Sequence, residues 1–346
     1  MLKLKGGYAF KSEKFQDSGV PIVRISNLPQ NSYSVDLSDC VYYECGNYQN
    51  YTVKNGDLLI AMSGATTGKT AIYRYDYPSY LNQRVGLFAP KELVHNQFLY
   101  PIVESKTFIS QLGSKLVAGA QPNISSQDIE TIAVGLPSKE EQIKIAHLFE
   151  LLNQKIETQS KIIEEQETLL RSLRHKLFNQ CLDSHTQCRI GDILSIGSGK
   201  DYQHLREGEI PVYGTGGLIS HVNESLYDGE SVCIGRKGTI NKPLYLSGRF
   251  WTVDTLFYTH SFNGILPRFC YHLFCTIDWL TYNEASGVPS LSKSTIEKII
   301  VSIPQIDIQK RIVQILDSIE EKINIDRNTL LDYQKQKIYL LSRMFI

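Results

Sequence analysis

Several absences narrow the reading before any motif does. No apolar run of the 346-residue chain approaches the roughly 18 residues that a membrane-spanning helix needs, and the opening MLKLKGGYAF has no apolar signal-peptide core. A cytoplasmic protein with no membrane partner is expected. Seven cysteines, Cys40, Cys45, Cys181, Cys188, Cys233, Cys270 and Cys275, include no C-x-x-C pair and no histidine at ligand spacing. That argues against structural zinc and a disulfide framework and leaves reduced thiols. Net charge is absent too, with 36 basic residues against 36 acidic ones. The segments are no more basic: residues 1–137 carry 12 Lys+Arg and 11 Asp+Glu, and residues 190–303 carry 9 and 11. A chain of this balance holds nucleic acid only through local loop chemistry or beside a positively charged partner, because phosphate neutralisation dominates affinity.

Catalytic signatures are also missing. There is no D/N-P-P-Y/F motif and no G-x-G-x-x-G after a strand. His204, His221 and His260 have no Cys or Asp at triad or metal spacing, so no catalytic residue and no metal ligand is assigned. The carboxylate pairs Glu140/Glu141, Glu164/Glu165 and Glu320/Glu321 read as solvated helix surface. The stretch GATTGKT resembles a phosphate-binding loop, yet only three residues separate Gly64 from Gly68 where four are required. The adjoining residues AIYRYDYP read as a strand and not as the helix whose N-terminus would hold a phosphate.

What is present is a duplication. Residues 119–157 align with residues 286–324 without a gap at an offset of 167, and the register holds to Phe178/Phe345. Pro122/Pro289, Ser125/Ser292, Ile129/Ile296, Glu130/Glu297, Pro137/Pro304, Gln142/Gln309, Lys155/Lys322 and Ile156/Ile323 are identical. Two copies are too few for a solenoid. The expected order is a head (1–137), a helix (138–180), a linker (181–189), a second head (190–303) and a second helix (304–346).

Each helix follows a proline, and Ser138 with Glu141 forms a capping-box pattern in the first. Apolar positions then step by four and three: Ile145, Phe149, Leu152, Ile156, Gln159, Ile163, Gln166, Leu170, Leu173 and Leu177. The second copy gives Ile312, Leu316, Ile319, Ile323, Asp326, Leu330, Tyr333, Lys337, Leu340 and Met344. This heptad seam predicts a coiled coil, antiparallel if the helices pack along their length. Gln159 and Asp326, equivalent by repeat, are then candidates for a polar layer that fixes register. A helix of forty residues is about 60 Å long and would serve as a spacer.

The heads share landmarks. GVPIVRISNL corresponds to EIPVYGTGGL, and VKNGDLLIAMSGATTGKTAIY to LYDGESVCIGRKGTINKPLYL. In each, an apolar strand, a glycine-framed polar loop and an aromatic strand come in succession; the second copy lacks the GKT triplet, so the frame is a hairpin whose tip varies. The repeated IETIAVGLP and IEKIIVSIP read as core strands leading into the helices. Groove-capable loop residues are Thr66, Thr67, Lys69, Gln83 and Arg84 in the first head, and Arg236, Lys237, Thr239, Asn241 and Lys242 in the second.

The order of GYAFKSEKFQDSGVPIVRISNL, GDLLIAMSGATTGKTAI, NISSQDIETIAVGLPSKEEQIKIAHLFELLNQKIE, GDILSIGSGK, IPVYGTGGLIS and IPQIDIQKRIVQILDSIEEKI resembles the specificity subunit of type I restriction-modification systems over essentially the whole chain. The resemblance implies an α+β chain: two α/β target recognition domains, joined by two long helices in an antiparallel coiled coil with a pseudo-twofold repeat. It implies a non-catalytic subunit without a cofactor of its own, whose heads read the halves of a split double-stranded DNA site. The helices would dock two methyltransferase subunits that use S-adenosylmethionine, and restriction subunits would use ATP and Mg. One departure is that the first head opens with MLKLKGG where the second has CRIGDILSIGSGK, so the first lacks the beginning of its copy. Two other readings are a coiled-coil adaptor whose heads bind protein, and a P-loop nucleotide-binding protein using Lys69.

Overall fold

A computed structural model describes residues 2–29, 33–116, 123–180 and 186–345. The chain divides into two compact units, Met1–Lys161 with Arg327–Ile346, and Ile162–Asp326. Each unit therefore takes one head and half of each long helix. The first five residues of the expected linker, Cys181 among them, lie outside the described residues.

In the first unit, strands β1 (Leu2–Gly6), β2 (Val20–Val23), β3 (Val41–Tyr43), β4 (Thr52–Val53), β5 (Leu58–Ala61), β6 (Thr70–Ile72), β7 (Ser79–Leu81) and β8 (Val85–Pro90) form two four-stranded sheets, ordered β1-β8-β5-β6 and β3-β2-β7-β4. Helices α1 (Leu99–Glu104), α2 (Lys106–Leu116) and α3 (Ser126–Glu130) come next, and then α4 (Lys139–Gln180). Alternation along β5 explains the layering. Leu58 and Ile60 face the helices, against Phe98, Phe108 and Ile129, while Leu59 and Ala61 face Val23 and Leu81 of the other sheet. A strand buried on both faces reads as a continuous apolar run, as LLIA does.

The second unit repeats this plan. After β9 (Thr186–Arg189) and α5 (Ile190–Ile193) come β10 (Ser195–Ser198), β11 (Ile210–Gly214), β12 (Gly217–Val222), β13 (Tyr227–Asp228), β14 (Ser231–Gly235), β15 (Leu244–Leu246), β16 (Arg249–Thr252) and β17 (Leu256–His260). Their sheets are ordered β10-β17-β14-β15 and β12-β11-β16-β13. Strand for strand this is the order of the first unit, including one parallel pair, β2 with β7 and β11 with β16. Helices α6 (Pro267–Phe274) and α7 (Lys293–Lys298), strand β18 (Ile300–Ile303) and helix α8 (Ile306–Met344) complete it. Residues 186–189, expected to end a linker, instead pair with β18 and belong to the head. The repeated core-strand reading holds for β18 but not for residues 133–136, which form no strand in the first unit.

Identical residues of the repeat do identical work. Gln142 accepts from the His95 amide (2.8 Å) and donates to the carbonyls of Leu93 (3.1 Å) and Pro137 (3.0 Å). Gln309 accepts from the Leu266 amide (2.9 Å) and donates to Gly264 (2.9 Å) and Pro304 (2.8 Å). Ser125 caps α3 and Ser292 caps α7. Phe345 stacks on Phe98 at 5.7 Å, and its repeat partner Phe178 on Phe269 at 4.9 Å.

Within each unit the two half-helices run antiparallel. In the first, Phe149 meets Phe345 and Lys155 lies over the Tyr333 ring. In the second, Gln166 donates to Asp326 (2.9 Å) and Arg174 pairs with Glu320. Ile145, Phe149, Leu152, Ile156, Ile163, Leu170 and Leu173 on α4, and Ile312, Leu316, Ile319, Ile323, Leu330 and Leu340 on α8, are buried or half-buried. Asp326 is engaged within its own unit by Gln166 and by Lys322 (2.8 Å).

Buried and half-buried charges tie each head to its helices. In the first unit Lys337 pairs with Glu104 (2.6 Å) and lies 3.6 Å from the Tyr33 ring centroid, while Arg74 grips Glu150 through two hydrogen bonds. In the second, Glu320 accepts from Arg174, Arg268 and Tyr271, and Asp317 accepts from Arg268 (2.8 Å). Glu320, expected on the solvated surface with Glu321, is thus drawn inward by two guanidinium groups. His272, fully enclosed, accepts from Arg174 Nε at Nδ1 (3.2 Å), which leaves its proton on Nε2, 2.7 Å from Asp317.

Replacing Gln142 or Gln309 with alanine should destabilise the unit that holds it by about 1–3 kcal/mol, because buried backbone groups lose their partner. Hydrogen exchange resolved by segment would show faster opening confined to that unit. Burial also holds the His272 pKa below its ordinary value of 6.5. As pH falls through that value the unfolded chain takes up a proton that the folded unit refuses, so stability is present above it and declines below it. Urea unfolding of the second unit between pH 7 and 5 should show that decline, and His272→Asn should flatten it.

Candidate nucleic-acid interface

The loop between β5 and β6 is a closed hairpin. The Gly68 amide donates to Ala61 (2.8 Å), Thr67 to Gly64 (3.1 Å) and Lys69 to Thr66 (3.0 Å). A phosphate cradle needs these N–H groups pointing outward, and here they are spent on the loop's own carbonyls. Gly68 sits at φ 87°, a conformation a β-branched residue resists. Lys69 donates to the Pro29 carbonyl (3.0 Å), and desolvation lowers its pKa. Thr66 and Thr67 are half-buried, while Gln83 and Arg84 are exposed on the β7–β8 turn. Backbone pairing brings these groups together, since the Met62 amide donates to the Arg84 carbonyl (2.9 Å).

The second unit holds its loop in the same way. The Arg236 amide donates to the Thr255 carbonyl (2.7 Å), as Met62 does to Arg84. The Leu291 amide donates to the Arg236 carbonyl (2.9 Å), as Ile124 does to Met62 (2.9 Å). Lys237 bridges Ser290 as Ser63 bridges Asn123. Gly235 cannot carry a side chain, because a Cβ there would lie 2.1 Å from the Thr239 carbonyl oxygen. Arg236, Lys237, Asn241 and Lys242 project as exposed residues, and Thr239 is half-buried. The Arg236 guanidinium lies 5.9 Å from the Phe257 ring centroid.

Two participants escape sequence reasoning. The segments Asn123–Ser125 and Ser290–Ser292, which entered the sequence reading only as part of the gap-free repeat, anchor the loops through Asn123/Ile124 and Ser290/Leu291. In the second unit the β11–β12 turn also adjoins the loop, with Thr215 Oγ1 3.8 Å from a Cβ placed on Gly238. Its neighbours Leu218 and Ile219 are large apolar side chains left in solvent.

Among the described residues one group could bring metal ligands together, His272, Asp317 and Glu320, with ligand atoms within 4.8 Å. Two arginines and Tyr271 already donate to those carboxylates, so the donor set does not fit a cation. The described cysteines are all free thiols. No described helix is long and apolar enough to cross a membrane.

Known proteins share this architecture. The family described as the type I restriction modification DNA specificity domain matches residues 1–168 and again 185–332. The MjaVIII specificity subunit of Methanocaldococcus jannaschii is 27% identical over 183 residues, 51% of this chain and 43% of that subunit. The EcoAI specificity subunit of Escherichia coli is 31% identical over 155 residues, 42% of this chain and 26% of that one. The match thus spans less than half the length of either relative. Among solved structures, the type I S subunit from M. genitalium gives a TM-score of 0.71 at 17% identity, covering 100% of this chain and 94% of that one. A chain from work on assembly and conformational transition of the type I R-M system gives 0.56 at 13% identity, covering 98% and 96%. With its duplicated sheets, its two long helices and a family match to both halves, the chain belongs to the type I restriction-modification specificity family.

Proposed function

We propose that the chain is the non-catalytic, sequence-reading subunit of a cytoplasmic type I restriction-modification complex, each head reading one half of a split double-stranded DNA site. One observation carries the reading: the same backbone bonds hold two loops whose side chains differ, ATTGK in one unit and RKGTIN in the other. A frame kept while its tip varies suits two recognition surfaces with different targets. Arg84 in the first head, and Arg236, Lys237 and Lys242 in the second, are exposed cations that would meet base edges or phosphates. The chain's neutral balance fits partners that supply much of the phosphate grip.

The helices leave apolar side chains in solvent, Leu148 and Leu151 in the first unit and Ile162 and Leu169 in the second, as surfaces for two methyltransferase subunits. S-adenosylmethionine would serve those subunits, and ATP with Mg the restriction subunits; this chain would hold none of them. The nucleotide-binding alternative is disfavoured by the spent amides around Gly68 and by the engaged Lys69. The adaptor alternative lacks any observation of its own.

Co-expression with a methyltransferase subunit, followed by single-molecule mapping of modified adenines, should give a split motif. Exchanging either head for that of a relative should change one half of the motif and leave the other. A motif whose two halves change together, or a complex that forms and modifies no specific site, would overturn the reading. On purified complex, Lys237→Ala should lower the slope of log K against log salt by about 0.9 if Lys237 meets a phosphate.

A further inference from the structure

The two units differ at the segment that touches the tip of the β5–β6 or β14–β15 loop. In the second unit β11 and β12 form a hairpin closed by Gly214 opposite Gly217, with Thr215 and Gly216 at its end. Gly217 sits at φ 108°, a conformation that glycine alone adopts readily. Beyond it the register slips: Tyr213 faces Leu218 and Val212 faces Ser220, so Ile219 has no partner on β11. Such a bulge re-aims side chains, and here it leaves two consecutive apolar ones in solvent, Leu218 at 56% and Ile219 at 52% exposure. Ile219 lies across Gly214, where an added Cβ would stand 2.6 Å from the Ile219 Cδ1.

The first unit keeps the contact and not the hairpin. Ile25 occupies the position of Thr215, with its Cδ1 3.3 Å from a Cβ placed on Gly64, as Thr215 Oγ1 is 3.8 Å from one placed on Gly238. Both glycines have positive φ, 84° and 93°. From there the chains part. Ile25–Asn27 form a single 3-10 turn, and Leu28, aligned with Leu218, is enclosed in the core with Val23, Val35 and Leu37. Solvent-facing leucine is therefore a property of the second head and not of the shared frame.

The surroundings say what suits this tip. Gly238 lies between Arg236 and Lys237 on one side and Lys242 on the other, and these three exposed cations form no ion pair among the described residues. The neighbouring Glu284, whose amide donates to Ser290, spends its carboxylate on Ser292 and Thr295. An apolar pair beside unpaired cations fits a ligand that is anionic at its edges and apolar within. Duplex DNA is such a ligand: phosphates flank the major groove, and the thymine 5-methyl is the apolar group displayed inside it. That groove, about 12 Å wide, admits a two-stranded β-ribbon.

We propose that Leu218 and Ile219 read thymine in the half-site of the second head. They pack on 5-methyl groups in the major groove while Arg236, Lys237 and Lys242 meet the adjoining phosphates and base edges. The inference rests on DNA reading by the heads and adds a base class to one of them. The enclosed Leu28 gives the first head no such contact.

The test uses the purified complex with the methyltransferase subunit and a duplex carrying its mapped motif, varied in the half that changes with the second head. Replacing each thymine of that half by deoxyuridine, in either strand, removes the methyl group alone. At one position or more this should weaken binding about fourfold, the worth of one buried methyl group. Leu218→Ala or Ile219→Ala should abolish the difference between thymine and deoxyuridine there, and Leu218→Met and Ile219→Val, which stay apolar, should keep it. A half-site without thymine in either strand, equal affinity for every deoxyuridine duplex, or a methyl effect unchanged in both alanine variants would overturn the inference and leave DNA reading intact. Loss of assembly with the methyltransferase subunit on Leu218→Ala would assign the tip to a protein contact and overturn it too. A complex that modifies no specific site would overturn DNA reading and this inference together.

Discussion

The antiparallel pairing of half-helices inside each unit is the contact on which the rest depends. A helix of 42 residues with one apolar stripe gains little stability alone in water, because helix formation is marginal without a face to bury. Neither head closes its own core either. Phe98 of the first is completed by Phe345, the residue just past α8, and Phe269 of the second by Phe178 from α4. Each head therefore needs the beginning of the helix that succeeds it and the end of the other one.

Polar groups make these contacts specific. An apolar stripe alone would tolerate sliding, but a buried glutamine that must satisfy an amide and two carbonyls has one position. Gln142 and Gln309 fix where each helix leaves its head. Further along, the units solve one problem with different residues. Glu150 and Asp317 occupy the same repeat position and both receive an arginine, yet Arg74 comes from beyond β6 and Arg268 from α6. Lys337 with Glu104 in one unit and Arg174 with Glu320 in the other place a buried cation against a carboxylate, which keeps the desolvation cost compensated.

The β5–β6 and β14–β15 loops obey the opposite rule. Their backbone bonds to the β7–β8 or β16–β17 turn, and to the segment before α3 or α7, are equivalent in the two units, while the side chains they carry differ. Bonds between main-chain atoms place no demand on side chains, so the tip can change without cost to the frame. The strand before the loop cannot change as freely: β5 and β14 are buried throughout, and Gly235 sits too close to Thr239 to gain a Cβ.

The sequence by itself determined the duplication, the two helices and the hairpin character of both loops. Those features are written in local periodicity and in a register that a gap would destroy. The heptad positions from Ile145 to Leu173 and from Ile312 to Leu340 could be read because a helix face is a function of spacing alone. Only the tertiary structure decided which groups converge. Met62 on Arg84, Lys69 on Pro29 and Arg174 on His272 join residues far apart in the chain, and no spacing rule reaches across such separations. It also decided that residues 186–189 belong to a sheet and residues 133–136 do not. The two stretches before the helices are alike in sequence, and a strand exists only where another strand supplies its hydrogen bonds.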